Sequence, residues 1–120
     1  MNQIAKCSLI ILLASVLASA SLAGPGVTPQ RITIVAKRFS YQPDQITVQK
    51  GRPVILDLTS EDVTHGLKLK DFGIKVTIHK GKITEVEFTP EQTGRFVGRC
   101  SHFCGMGHGS MTLVINAVDK

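Results

Sequence analysis

The chain has 120 residues, enough for one hydrophobic core and short of two. Its formal net charge of +5 comes from 14 Lys and Arg against 9 Asp and Glu. The cations are scattered, as Lys37-Arg38, Lys50, Arg52, Lys68, Lys70, Lys75, Lys80, Lys82, Arg95 and Arg99, without a dense run or interleaved aromatics; this excludes a nucleic-acid groove and leaves at most a weak docking preference for an acidic protein.

Residues 1–23, MNQIAKCSLIILLASVLASASLA, predict a cleavable export signal. Lys6 precedes an apolar run from Leu9 to Leu17, and both Ala18-Ser19-Ala20 and Ser21-Leu22-Ala23 offer small residues for cleavage. The run is too short to span a bilayer, and Cys7 lies before it, where a lipid-modified cysteine would follow it. The mature domain is therefore expected to be soluble, periplasmic or otherwise exported, with no stable membrane insertion. Cleavage leaves Cys100 and Cys104 in an oxidising compartment, where two thiols ordinarily pair. Residues 24–30, GPGVTPQ, read as a linker, and the folded domain is expected over 31–120.

From there the apolar residues recur with a period near two. Ile32 and Ile34, then Ile46 and Val48, then Val54, Leu56 and Leu58 each predict a strand with one face inward. Ile74, Val76 and Ile78 continue the pattern, as do Val86 and Phe88, the short run Arg95 to Cys100, and a branched segment from Met111 to Val118 expected to be a central strand. Turn formers separate them at Gln42-Pro43-Asp44, Lys50-Gly51, Lys80-Gly81-Lys82 and Pro90 to Gly94. Ser60 to Gly73 has the weakest alternation and reads as a loop or irregular strand carrying His65 near one end. No helical stripe lasts three turns, so the fold class expected is all-β, a Greek-key β-sandwich or small barrel of about seven strands.

The chemistry concentrates in Gly98 to Met111, GRCSHFCGMGHGSM. Cys100, Cys104, His108 and Met111 follow one another at intervals of four, four and three. On a regular strand they would be too far apart to converge, so the segment must fold as a loop, which Gly105, Gly107 and Gly109 permit. Thiolate and imidazole suit copper, zinc or iron rather than calcium or magnesium. Zinc could take Cys100, Cys104, His108 and one of His65 or His102. The thioether of Met111 favours copper, although a mononuclear blue site would need one cysteine fewer. A disulfide between Cys100 and Cys104 remains open as well, but it leaves His108 and Met111 without a role.

The string from Cys100 to Met111 resembles the binuclear copper loop of cytochrome c oxidase subunit II and nitrous oxide reductase, C-x-E-x-C-G-x-x-H-x-x-M, and Asp62-Val63-Thr64-His65-Gly66 resembles the segment that carries that family's first histidine. The resemblance spans about residues 31–118 and implies a cupredoxin-like domain. It implies two copper ions forming a mixed-valence pair, bridged by Cys100 and Cys104. His65 and His108 would be terminal ligands, with Met111 and the backbone carbonyl of His102 axial. The chain departs from the family at His102, where glutamate is usual, and it has no tryptophan. Because the ligand there is a backbone oxygen, the site tolerates the change, while the side chain adds a third imidazole nearby.

The function implied is one-electron transfer to or from a redox protein, such as a c-type cytochrome or an oxidase, without a substrate pocket or an acid–base pair. The alternative is copper storage or delivery to an oxidase. Among the other residues, Phe103 is expected to shield the site from water, Met106 to face solvent, and His79 to lie on the surface.

Overall fold

The structure, a computed structural model, describes residues 27–119. The expected signal and residues 24–26 of the linker lie outside the described residues. Nine strands follow in order: β1 Gln30–Lys37, β2 Ser40–Gln42, β3 Gln45–Gln49, β4 Val54–Ser60, β5 His65–Leu69, β6 Ile74–Ile78, β7 Thr84–Phe88, β8 Gly94–Arg99 and β9 Thr112–Val118. Two 3-10 turns, Lys70–Phe72 and His108–Ser110, complete the regular structure.

The strands form two sheets, ordered β2-β1-β4-β7 and β3-β9-β8-β5-β6. The pairs β1–β4 and β3–β9 are parallel and the remaining neighbours antiparallel. This all-β, cupredoxin-like architecture agrees with the class expected from the alternation. Ile34 and Ala36 of β1, Leu56 and Leu58 of β4, and Leu113 and Ile115 of β9 are all sealed from solvent. Each such aliphatic side chain contributes on the order of 1.5–3 kcal/mol through burial, with Ala36 contributing less. As expected, β9 is central, with β3 on one side and β8 on the other.

Two strands differ from the sequence expectation. Ser40–Gln42 forms a short edge strand against β1 that its three residues are too few to announce. More important, the weakly patterned stretch after Ser60 holds a regular strand, β5, paired to β6 over five residues. Its inward face is His65, Leu67 and Leu69, with Lys68 outward. The alternation is present, but a histidine occupies the first apolar position.

That substitution locates the site. Past the end of β8, the inward positions Phe96 and Gly98 continue to Cys100; ahead of β9, Leu113 and Ile115 continue back to Met111. Gly98 is required by this packing, since a methyl group there would meet Leu69 Cδ2 at 2.5 Å and Leu67 Cδ1 at 2.9 Å. Three candidate donors thus form the last inward layer at one end of the sandwich.

Candidate metal centre

The loop between β8 and β9 is closed at its neck by the Arg99–Thr112 ladder pair and by the Cys100 N–H donating to the Met111 carbonyl at 3.2 Å. Inside the loop, the amides of His108, Ser110 and Met111 donate to the carbonyls of Gly105, Gly107 and His108. These bonds let a glycine-rich segment hold a fixed path without a sheet partner. Gly105 has a φ of 140°, a conformation that side chains rarely adopt.

The loop brings sulfur to sulfur. Cys100 and Cys104 are free, buried thiols with Sγ atoms 3.9 Å apart, and Cys104 Sγ lies 3.9 Å from Met111 Sδ. The Cys100 thiol points at the His102 carbonyl, 3.1 Å away. His65 arrives from β5, and its ring nitrogen and the two sulfurs all lie within 4.8 Å of one another. His108 falls outside that group and sits half-buried on its 3-10 turn.

The polarity of His65 is set by Asp62. The carboxylate Oδ1 lies 2.7 Å from His65 Nε2, and the backbone N–H groups of Val63 and Arg38 donate to Asp62 at 2.6 and 2.8 Å. Burial pushes the Asp62 carboxyl up, but the bonds from Arg38, His65 and Val63 outweigh it and hold the group well below the usual carboxylate range. An ionised carboxylate only accepts, so Nε2 carries a hydrogen, and in the neutral ring Nδ1 is the nitrogen with a lone pair to offer. That Nδ1 is buried without a partner, and so is Nδ1 of His108. An unsatisfied buried nitrogen costs about 1–3 kcal/mol, which a metal bond would offset. Cys104 adds to the same demand: burial, then its hydrogen bond with Cys100, pushes its thiol up to about 11. At neutral pH the metal-free thiol keeps its proton, and a bound metal must displace it.

The sequence reading meets the structure unevenly at the other positions. The His102 carbonyl faces Cys100, while its side chain is exposed. Met106 is 95% exposed, and His79 is on the surface, both as expected. Phe103 is too exposed to seal the site as expected: it is 68% exposed and meets one candidate donor, His108, edge-on, with ring centroids 5.6 Å apart. The ring that covers the loop is Phe39, so close that a methyl group on Gly107 or Gly105 would meet it at 2.7 or 2.9 Å.

Three contributions were invisible in the sequence. Tyr41 donates its buried hydroxyl to the Gly66 carbonyl at 2.6 Å, steadying the residue after His65. Gly66 lies against Ser101 Oγ and the His102 backbone, leaving no room for a side chain. Arg38 Nε donates to the Cys104 carbonyl at 2.8 Å. For Asp62 a signal existed, a carboxylate three residues ahead of a candidate ligand; the other contacts join residues far apart in the chain.

Comparison with known proteins bears on the family and the fold. The family model for the cytochrome c oxidase subunit II periplasmic domain matches residues 27–118. A cytochrome c oxidase subunit 2 from Thermus thermophilus is 32% identical over 92 residues, which cover 75% of this chain and 68% of that protein. A second cytochrome c oxidase subunit 2 from the same species is also 32% identical over 92 residues, and the match covers 55% of its length. Among solved structures, the periplasmic domain of subunit II of the Bradyrhizobium japonicum cytochrome oxidase shares the fold, with a TM-score of 0.72, 24% identity, and coverage of 76% of this chain and 85% of that one. The metal-binding domain of a Streptococcus pneumoniae Cu(I)-exporting P-type ATPase, solved with Cu(I), has a TM-score of 0.60 at 25% identity over 75% of this chain and 86% of that one. With the family model matching most of its length, the chain belongs to the family of cytochrome c oxidase subunit II periplasmic domains.

Proposed function

We propose that this domain binds a pair of copper ions and carries single electrons to or from a redox protein, such as a c-type cytochrome or an oxidase. The observation that carries the reading is the pair of free, buried thiols 3.9 Å apart, grouped with the His65 imidazole, whose Nδ1 has no protein partner. Cys100, Cys104, His65 and His108, with Met111 and the His102 carbonyl, would hold the copper. This set fits copper better than zinc, because a thioether lies in the same buried group as the thiols. Copper so bound supplies a one-electron couple with its charge shared over two ions.

The chain's own part is preorganisation. Asp62 fixes the tautomer and the direction of His65. The loop neck and the three internal amide bonds hold Cys100, His108 and Met111 in place. Among the ring donors, His65 is fully buried and His108 half-buried, so His108 is the edge through which a partner would exchange electrons. The family model describes a periplasmic domain, and no helix among the described residues is long and apolar enough to cross a membrane. Export with signal cleavage would bring the domain to that compartment.

Copper storage or delivery is the second reading, favoured by one observation: His102 and Met106, both able to bind copper, are exposed at the tip of the loop. Copper-loaded protein separates the two. A seven-line hyperfine pattern in the paramagnetic resonance spectrum, with two coppers per chain and a reversible one-electron couple, is the expected result. A single Cu(I) stripped readily by a chelator would replace electron transfer with delivery.

A further inference from the structure

The corner between β1 and β2 reaches both halves of the donor set through one residue. The backbone N–H of Arg38 donates to Asp62 Oδ2 at 2.8 Å, and Asp62 Oδ1 is the partner of His65 Nε2. From the same residue, Nε donates at 2.8 Å to the carbonyl of Cys104. Its neighbour Phe39 lies on Gly105 and Gly107. The separations in sequence are 24 residues to Asp62 and 66 to Cys104, so the fold alone creates these contacts.

The bond to Cys104 matters because of where it falls. The neck of the loop is fastened at Cys100 and Met111, and its later half by the amide bonds to Gly105, Gly107 and His108. Between Cys100 and Gly105 no backbone bond within the loop holds the chain among the described residues, and Cys104 lies in that gap. Its sulfur is set by its backbone, and a guanidinium is a rigid donor that fixes a carbonyl in direction as well as distance.

We propose that Arg38 is a positioning residue for the metal centre: its side chain ties the Cys104 backbone to the β1–β2 corner, whose Arg38 amide also holds Asp62, the partner of His65, and this sets the distance between the two halves of the donor set. The proposal rests on the copper reading for its metal readouts and stands without it for its metal-free one. It assigns no ligand role to Arg38, which acts on the metal through the Cys104 backbone alone.

The test compares Arg38→Met with Arg38→Lys and with a remote control. Arg52 also donates Nε to a carbonyl, that of Thr28 at 2.7 Å, at the opposite end of the sandwich, so Arg52→Met removes the same charge and the same kind of bond. In metal-free protein, hydrogen exchange of the His108, Ser110 and Met111 amides is expected to quicken about fivefold to tenfold in Arg38→Met and to stay at the parent rate in Arg52→Met. In copper-loaded protein, release to a chelator should quicken by a similar factor and the thiolate-to-copper absorption should shift. Arg38→Lys, which keeps the cation and loses the planar donor, should restore the net charge but only part of the exchange protection. Equal exchange in Arg38→Met and Arg52→Met overturns the positioning role. If the parent chain takes up no copper, the copper reading fails while the exchange comparison still decides for or against Arg38.

Discussion

The two ends of the sandwich are built from the same strands and end in opposite chemistry. At one end Phe72, Phe88 and Phe96 pack together, with ring centroids 4.3 and 5.0 Å apart. At the other end the corresponding inward layer is His65, Cys100, Cys104 and Met111. Strand β8 leads into both, supplying Phe96 near its start and Cys100 just past its end. The sheet dictates which positions point inward, whereas residue type decides whether such a position stabilises the fold or holds a donor ready. At the phenylalanine end burial itself stabilises the fold. At the donor end two imidazole nitrogens are buried without partners, a cost carried by the rest of the core.

Breaking each end should therefore give opposite phenotypes. The largest effect is expected from Cys104→Ser, which removes one of the two sulfurs proposed to hold copper: the expected binuclear copper spectrum should vanish, while circular dichroism of the metal-free protein stays that of a folded sheet. An unfolded metal-free protein would mean that the metal holds the fold, and the zinc reading would gain. Next comes Phe88→Ala at the far end, a buried ring in contact with Phe72. It should cost about 3–5 kcal/mol in denaturant unfolding and leave the copper spectrum of the folded fraction unchanged.

Asp62→Asn tests how far the donor end depends on orientation rather than on ligands. Losing the anionic acceptor for His65 should weaken metal affinity about 10- to 100-fold in a chelator competition, with fold and ligand count preserved. His102→Gln should have the smallest effect. Its backbone carbonyl faces Cys100 and its side chain is exposed, so two coppers and an unchanged hyperfine pattern are expected. A changed pattern would make the His102 imidazole part of the site and join the exposed loop tip to the buried layer.

Much of this was legible in the sequence, for a physical reason in each case. Period-two alternation marks a half-buried strand, so β3, β4, β6 and β7 were legible from residues such as Leu56 and Phe88. The candidate loop stood out because two thiols, two imidazoles and two thioethers in one glycine-rich segment have little use in packing. Strand β5 escaped because His65 stands where the alternation wants an aliphatic residue. The same oddity, a histidine in register with Leu67 and Leu69, could have marked it as both strand and site.

The sequence by itself determined the all-β class, the inward faces and the chemical inventory of the centre, since these follow from local periodicity and side-chain type. The tertiary structure decided which elements meet: that Asp62 turns His65, that Phe39 and not Phe103 lies on the loop, and that Arg38 reaches Cys104 across 66 residues. Those are contacts between segments whose separation is closed only when the two sheets pack. No local pattern records the distance or direction at which they arrive.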